Sequence, residues 1–264
     1  VEEKVIQKIL EATRKNKGAA LCTITNTYGS SPGKEGFMMA VFEDGNIIGT
    51  VGGGILEGQV TKDAVEAIKL GKSVNKTYIL SDAGLKSKCG GKVDVFIKTF
   101  SRRNKLIIVG GGHVALEIYK FAKLLDFYIV IFEDREEFAN KERFEDADEI
   151  IVGDIGKELE NYNIDENCFI VIVTRGHEQD EIALKSVINS SANYIGMIGS
   201  INKVRFIFDR LKQEGLQEQI KRVYAPIGLR LGGDTPSEIA LSILSEIMLV
   251  KNKGRLEHSK FVEF

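Results

Sequence analysis

Proline and cysteine are scarce in these 264 residues, with three of each. The cysteines, Cys22, Cys89 and Cys168, are odd in number and widely spaced. That argues against a secreted disulfide framework and makes a reducing cytosol the default compartment. Excess charge of either sign is missing too. Thirty-six Lys and Arg against 38 Asp and Glu leave a net charge of -2. A nucleic-acid binder should carry a basic excess, and a polybasic membrane attachment a basic cluster, so neither class fits. Apolar runs are strand-sized, too short to span a bilayer. The chain opens on acidic Val1-Glu2-Glu3, so no signal peptide is expected and the cytoplasm is the expected location. What is abundant is glycine, 27 residues in clusters. Clustered glycine marks backbone that something approaches closely. At 43% hydrophobic and 28% charged the chain can bury full-sized cores, and its length predicts about two domains.

The two halves read differently. In the first, Val5–Thr13 has helical spacing and Ala19–Thr25 reads as a buried strand. Phe37–Phe42 and Ile47–Val51 flank Asp44-Gly45, a hairpin signal. A helix is expected over Ile55–Leu70, and strands over Tyr78–Ser81 and Val93–Phe100. This half mixes strands and helices without strict alternation. Polar Ser101-Arg-Arg-Asn-Lys105 marks the boundary, giving domains 1–101 and 102–264. Beyond it strands at Leu106–Val109, Tyr128–Phe132, Ile150–Val152, Phe169–Val173 and Tyr194–Ile198 alternate with helices. That rhythm predicts an α/β fold with a doubly wound parallel sheet. Thr235-Pro236-Ser237-Glu238 carries the signature of a capping box opening the last helix.

Gly110-x-Gly112-x-x-Ala115 follows a strand and opens a helix. The first glycine makes the turn, the second lets a pyrophosphate approach, and the small third residue lets helix pack on strand. The next strand ends in Glu133-Asp134, and Glu133 lies 21 residues after Gly112, near the spacing for a carboxylate on a ribose hydroxyl. The turn thus points to a nucleotide or pterin nucleotide, or serves packing alone. His113 and His177 should both project from the carboxyl edge of this sheet, with Asp154 and Asp180 on the same edge. The pair could share a ligand or a metal, or merely satisfy helix termini. No His-x-x-x-His spacing strengthens a metal reading, and His258 reads as a surface residue.

In the first half, Gly49-Thr-Val-Gly52-Gly53-Gly54 runs into a helix beginning Ile55-Leu56-Glu57 and can cradle an anion. Gly29-Ser30-Ser31-Pro32 offers two hydroxyls. Cys89 precedes Gly90-Gly91. It is either a thiolate for a soft metal or for sulfur, or an inert buried thiol. Cys22 and Cys168 lie in apolar strand patterns and should be core. Ser30 has no local histidine partner, so a hydrolase nucleophile is a poor reading.

Together these motifs resemble the XdhC/CoxI family, the xanthine dehydrogenase accessory factors and their carbon monoxide dehydrogenase counterparts. The first half carries Gly29–Pro32, Gly49–Gly54 with Leu56-Glu57, and Cys89–Gly91. The second carries Gly111–Ala115, Glu133–Arg135, Thr174–His177 with Asp180, Tyr194–Ser200 with Lys203, and Pro226–Gly228 before Thr235–Glu238. The resemblance covers roughly Val5 to Val250. It implies an XdhC/CoxI-type N-terminal domain followed by a Rossmann-like domain, and a maturation role rather than turnover. Molybdenum cofactor would be cargo, protected and helped into a molybdenum hydroxylase in sulfurated form. A cysteine desulfurase, the apo-hydroxylase and a second copy of the chain are the implied partners. Carried over, Ser30, Ser31, Gly52, Gly53, Gly54, Glu57, Cys89, Gly90 and Gly91 would face the cofactor, in a site between the halves. Gly110, Gly112 and Ala115 would take a phosphate or dinucleotide portion, with His113, Glu133, Asp134, His177 and Asp180 around it. Ile55 follows Gly54 where many relatives carry Cys, leaving Cys89 as the thiol candidate. Glu133 stands where Asp is more usual. The competing functions are an NAD(P)-dependent oxidoreductase with a histidine as acid or base, and a nucleotide-sensing module without turnover.

Overall fold

The computed structural model describes residues 2–80 and 90–258. The chain divides into two compact units, Val1–Arg102 and Arg103–Phe264. Their sheets are built on different principles.

In the first unit, helix α1 (Glu2–Arg14) buries Val5, Ile9 and Ala12. Their spacing puts all three on one face of the helix. Strands β1 (Ala19–Tyr28), β2 (Met38–Phe42) and β3 (Ile47–Gly49) follow, then helix α2 (Gly54–Leu70) and strands β4 (Val74–Leu80) and β5 (Gly91–Phe100). They form one sheet, ordered β3-β2-β1-β5-β4 and antiparallel throughout. Side chains alternate across it. Ala20, Cys22 and Ile24 of β1 join the core with Leu56, Val60 and Ala64 of α2. Ala19 and Leu21 join Val5 and Ile9 of α1 on the other face. Each face of β1 thus packs on one helix, as a period-2 strand between two amphipathic helices requires. Gly71, with a φ of 64°, closes α2 in the left-handed conformation that residues with a Cβ resist.

The second unit alternates strictly. Its strands are β6 (Lys105–Val109), β7 (Tyr128–Glu133), β8 (Glu149–Val152), β9 (Cys168–Ile172), β10 (Tyr194–Met197) and β11 (Val223–Tyr224). Its helices are α3 (His113–Leu124), α4 (Ile155–Asn161), α5 (His177–Val187), α6 (Ile201–Gln213) and α7 (Pro236–Asn252). The sheet is parallel and ordered β11-β10-β9-β6-β7-β8. This is the doubly wound order of the Rossmann fold, and the winding reverses between β6 and β9. Helices cover both faces, so the central strands are continuous apolar runs. Ile107, Val109, Ile170 and Ile172 pack toward α4, α5 and α6. Leu106, Ile108, Phe169 and Val171 pack toward α3 and α7. Expected strands and helices appear within a few residues of their sequence limits. The sixth strand, β11, has only two residues and shows no periodicity in the sequence. Among the described residues no helix is long and apolar enough to cross a membrane.

Candidate functional site

Three glycine-bearing loops meet in the first unit. A Cβ on Gly52 would lie 2.7 Å from the Gly33 amide nitrogen, and one on Gly33 would collide with the Val51 carbonyl. A Cβ on Gly91 would collide with the Ser30 carbonyl. The segments around residues 29–33, 49–54 and 90–91 are therefore stacked backbone on backbone, an approach that only glycine permits. Gly52, Gly53 and Gly54 all have positive φ (120°, 74° and 61°). At Gly53 and Gly54 a Cβ would meet nothing within 4 Å. These two glycines serve conformation and leave open space above the chain.

The loop braces itself. Thr50 Oγ1 accepts from the Gly52 amide at 3.0 Å and donates to Glu57 Oε2 at 2.6 Å. The Gly53 amide donates to the same Glu57 oxygen at 3.2 Å. Glu57 therefore closes the strip onto the start of α2, where the helix dipole favours a carboxylate. The amides of Gly54, Ile55 and Leu56 remain as first-turn donors with no helical acceptor. Ser30 is exposed, and Ser31 Oγ accepts from the Gly33 amide at 3.3 Å. Gly90 and Gly91 are described, whereas Cys89 lies outside the described residues. The other two cysteines are buried, as expected of core residues. Burial pushes their thiols up, Cys22 to about 12 and Cys168 to about 11.

In the second unit the glycine turn stands at the reversal of the winding. Gly110 has a φ of 113°, and a Cβ there would sit 2.5 Å from the Val173 carbonyl oxygen. The turn after β6 thus rests directly on the exit of β9. A Cβ on Gly111 would collide with the Phe138 carbonyl, while Gly112 faces open space. Gly112 precedes α3 with no side chain capping it. The amides of its first turn therefore point into the crevice at the carboxyl ends of the strands, where α/β sheets take ligands.

Glu133 does not stand ready for a ribose. It is 3% exposed. Its Oε2 accepts from the Gly111 amide at 2.7 Å, and Arg135 donates to Oε1 at 2.9 Å and to Oε2 at 3.2 Å. The carboxylate ties the turn to the end of β7, and a hydroxyl would have to compete with the Arg135 fork. Asp134 is half-buried between Arg135 at 3.4 Å and Arg175 at 3.2 Å.

Asp180 is engaged as well. It is fully buried and does not line the edge. Oδ1 accepts from the Thr174 amide at 3.1 Å and hydroxyl at 2.6 Å, and Oδ2 is paired with Lys203. Burial pushes this carboxyl up, against the pull of Lys203 and Thr174. The Lys203 stem crosses Gly199, where a Cβ would lie 2.8 Å from its Cδ. Asp180 thus locks the β9–α5 turn to the start of α6. Asp154 caps α4, accepting from the Lys157 amide at 2.9 Å.

His113 and His177 are exposed first residues of α3 and α5. They follow neighbouring strands, since β6 pairs with β9. Among the described residues no three His, Cys, Asp or Glu come together. His258 is exposed. Two residues of these turns went unread in the sequence. Thr50 is signalled by its two-residue offset from Gly52, the pattern of a hydroxyl turn. Arg143, which donates to the Gly111 carbonyl at 2.9 Å from 32 positions away, has no such signal.

Comparison with known proteins follows this anatomy. Residues 106–247 match the model of the XdhC Rossmann domain, and residues 1–78 that of the XdhC and CoxI family. The chain is 33% identical over 240 residues to the uncharacterized protein YqeB of Escherichia coli K12, a stretch covering 89% of this chain and 44% of that protein. It is 22% identical over 160 residues to a Bacillus subtilis 168 protein named as a probable subunit of xanthine dehydrogenase, covering 61% of this chain and 47% of the relative. The matched regions thus span less than half the length of these curated relatives. A solved structure described as a xanthine dehydrogenase from Bacillus halodurans shares 23% identity with a TM-score of 0.52, covering 97% of this chain and 98% of that one. At that identity the likeness speaks for the fold. With a model matched in each half, one of them over more than half of the residues, the chain belongs to the XdhC and CoxI family.

Proposed function

We propose that the chain is an accessory factor for a xanthine dehydrogenase-type molybdenum hydroxylase, with molybdenum cofactor as its cargo. The observation that carries this reading is the stacking of the three glycine loops in the first unit, with open space above Gly53 and Gly54. Family membership supports it, as does kinship with a relative named as a probable part of xanthine dehydrogenase. The cargo is an anionic, oxidation-prone pterin with a terminal phosphate. Amides of Gly54, Ile55 and Leu56 suit that phosphate, and the Ser30 hydroxyl adds a donor. Glu57 already occupies the Gly53 amide, so the phosphate would sit toward the helix side of the strip. Cys89, next to Gly90, is the candidate soft ligand for the metal end. On this reading the chain carries and protects rather than turning over substrate. It would hand cargo to the apo-hydroxylase, receive sulfur from a cysteine desulfurase, and work as a homodimer.

The test is anaerobic titration of the purified protein with molybdenum cofactor, with Cys89→Ser in parallel and NADPH as competitor. Tight binding weakened by Cys89→Ser supports a carrier with a thiolate contact. Tight binding that Cys89→Ser leaves alone keeps the carrier and retires the cysteine. A second reading is favoured by the sheet order and by the open Gly112 turn. There the second unit binds NAD(P) as a sensor or oxidoreductase. NADPH binding with no retention of molybdenum cofactor would decide for it.

A further inference from the structure

The segment between β11 and α7 doubles back along α7 as a strap. The Ile227 amide donates to the Met197 carbonyl at 3.1 Å, where β10 ends. The Gly228 amide donates to Glu246 Oε2 at 3.0 Å. Leu229 exchanges two bonds with Ser242, its amide donating to the Ser242 carbonyl at 3.3 Å and its carbonyl accepting from Ser242 Oγ at 2.6 Å. Gly228 has a φ of 96°, and a Cβ there would collide with Ser242 Oγ, so the strap presses on the helix.

Between strap and helix lies a cavity of about 550 Å³. Its apolar wall comes from Leu229, Leu231, Ile239 and Leu241. Leu231 and Leu241 are 57% and 50% exposed. Scattered exposed leucines are ordinary, but leucines gathered round one concavity are not. Arg230 also lines the cavity. Among the described residues its guanidinium has no hydrogen bond or ion pair, and the amides of Gly232 and Gly233 have no acceptor. Gly232 and Gly233 have φ values of 78° and 138°, and successive amides in such a turn form an anion-binding concavity. Glu238 lines the cavity too, and its carboxylate lies against Gly233, where a Cβ would sit 3.0 Å from Oε2. Its Oε2 is spent on the amides of Asp234 and Thr235 and on the Thr235 hydroxyl.

We infer that this cavity is a binding site for a small amphiphilic anion, an apolar body ending in a carboxylate or phosphate. Arg230 and the Gly232–Gly233 amides take the anionic head, and the leucines with Ile239 take the body. A guanidinium matches either head bidentately. The volume lies in the usual range for small-molecule sites and suits a body of about eight carbons. Every residue of this site belongs to the second unit, and the assignment does not rest on the proposed cargo.

Calorimetric titration with octanoate, octyl phosphate, octanol and inorganic phosphate tests it on the full chain. One equivalent of octanoate or octyl phosphate should bind, and the tighter of the two identifies the head group. Octanol and inorganic phosphate should each bind at least about tenfold more weakly, the weight of one charge-assisted contact. Arg230→Gln should cost about tenfold without shifting the melting temperature, because the side chain is exposed and unpartnered. Leu241→Asp, also at an exposed position, should cost as much. Octanol binding as tightly as octanoate, inorganic phosphate as tightly as octyl phosphate, indifference to Arg230→Gln, or no binding of either amphiphile would overturn the assignment.

Discussion

Each unit contains a glycine turn, and each turn has a carboxylate docked on one of its amides. The two are held in different ways. In the first unit Glu57 comes from the helix that the turn opens, four residues after Gly53, and it is partly exposed. In the second, Glu133 comes from the end of the adjacent strand, is buried, and is gripped by Arg135. The first turn closes on its own helix and leans through Gly52 on the backbone of Gly33, with open space above Gly53 and Gly54. The second is fastened into the sheet on two sides, by Glu133 and by the contact of Gly110 with β9's exit. A carboxylate from the turn's own helix ties the loop to that helix alone. Fastening to the core presents the same donors in one geometry.

Substitutions put that contrast to the test. The largest effect is expected from Lys203→Met, which strands the buried Asp180 carboxylate and should cost about 3–5 kcal/mol in denaturant unfolding. Without its ammonium, Asp180 stays protonated to higher pH in the folded state than in the unfolded one. The deficit should therefore shrink on acidification and grow as pH rises. A pH-independent deficit would mean that Asp180 is not the group left stranded. Gly110→Ala comes next. Positive φ and a backbone collision should together cost about 3 kcal/mol, whereas Gly53→Ala, strained but unobstructed, should cost about 1 kcal/mol. Equal losses would mean that the contact of Gly110 with the Val173 carbonyl adds nothing to the cost of its positive φ. Glu133→Gln should cost about 2 kcal/mol through its charged partners, and Glu57→Gln less than about 1 kcal/mol. Unfolding midpoints of the five variants give the ranking.

The smallest effect concerns Glu238. The Thr235 hydroxyl and the amides of Thr235 and Asp234 hold its carboxyl below the ordinary value of 4.5. A depressed carboxyl stabilises the fold above its unfolded value, and that contribution is lost as pH falls through the folded value. The protection of amides at the start of α7, measured against their intrinsic exchange rates, should therefore fall below about pH 4.5. Glu238→Gln should remove that pH dependence, and its persistence in the variant would point to another group.

Periodicity made most of the fold legible. The β6–α3–β7 unit, the alternation behind it and the capping box at Thr235 all follow from residue spacing, because burial on both faces of a parallel sheet leaves little freedom in residue choice. Strand β11 escaped because two residues carry no period. At the site, positions were legible but orientations were not. Spacing puts Glu133 where a ribose carboxylate would stand, yet Arg135 two residues later claims it. Asp180 sits on the helix that opens at the sheet's edge, yet it turns inward to Lys203, 23 positions away. Short motifs report which loop a side chain belongs to. Which partner wins it is settled by long-range packing that a single motif does not encode.

Cys22 and Cys168 are enclosed in separate cores, and their thiols ionise only far above neutrality. A thiol-specific reagent acts on the thiolate, so at neutral pH it finds neither of them in the native chain. With three cysteines in all, labelling under native conditions interrogates residue 89 alone, and labelling after denaturation counts three. The native protein thus carries a built-in single-site assay for the one cysteine proposed as a contact to the cargo, with no cysteine-free background to engineer.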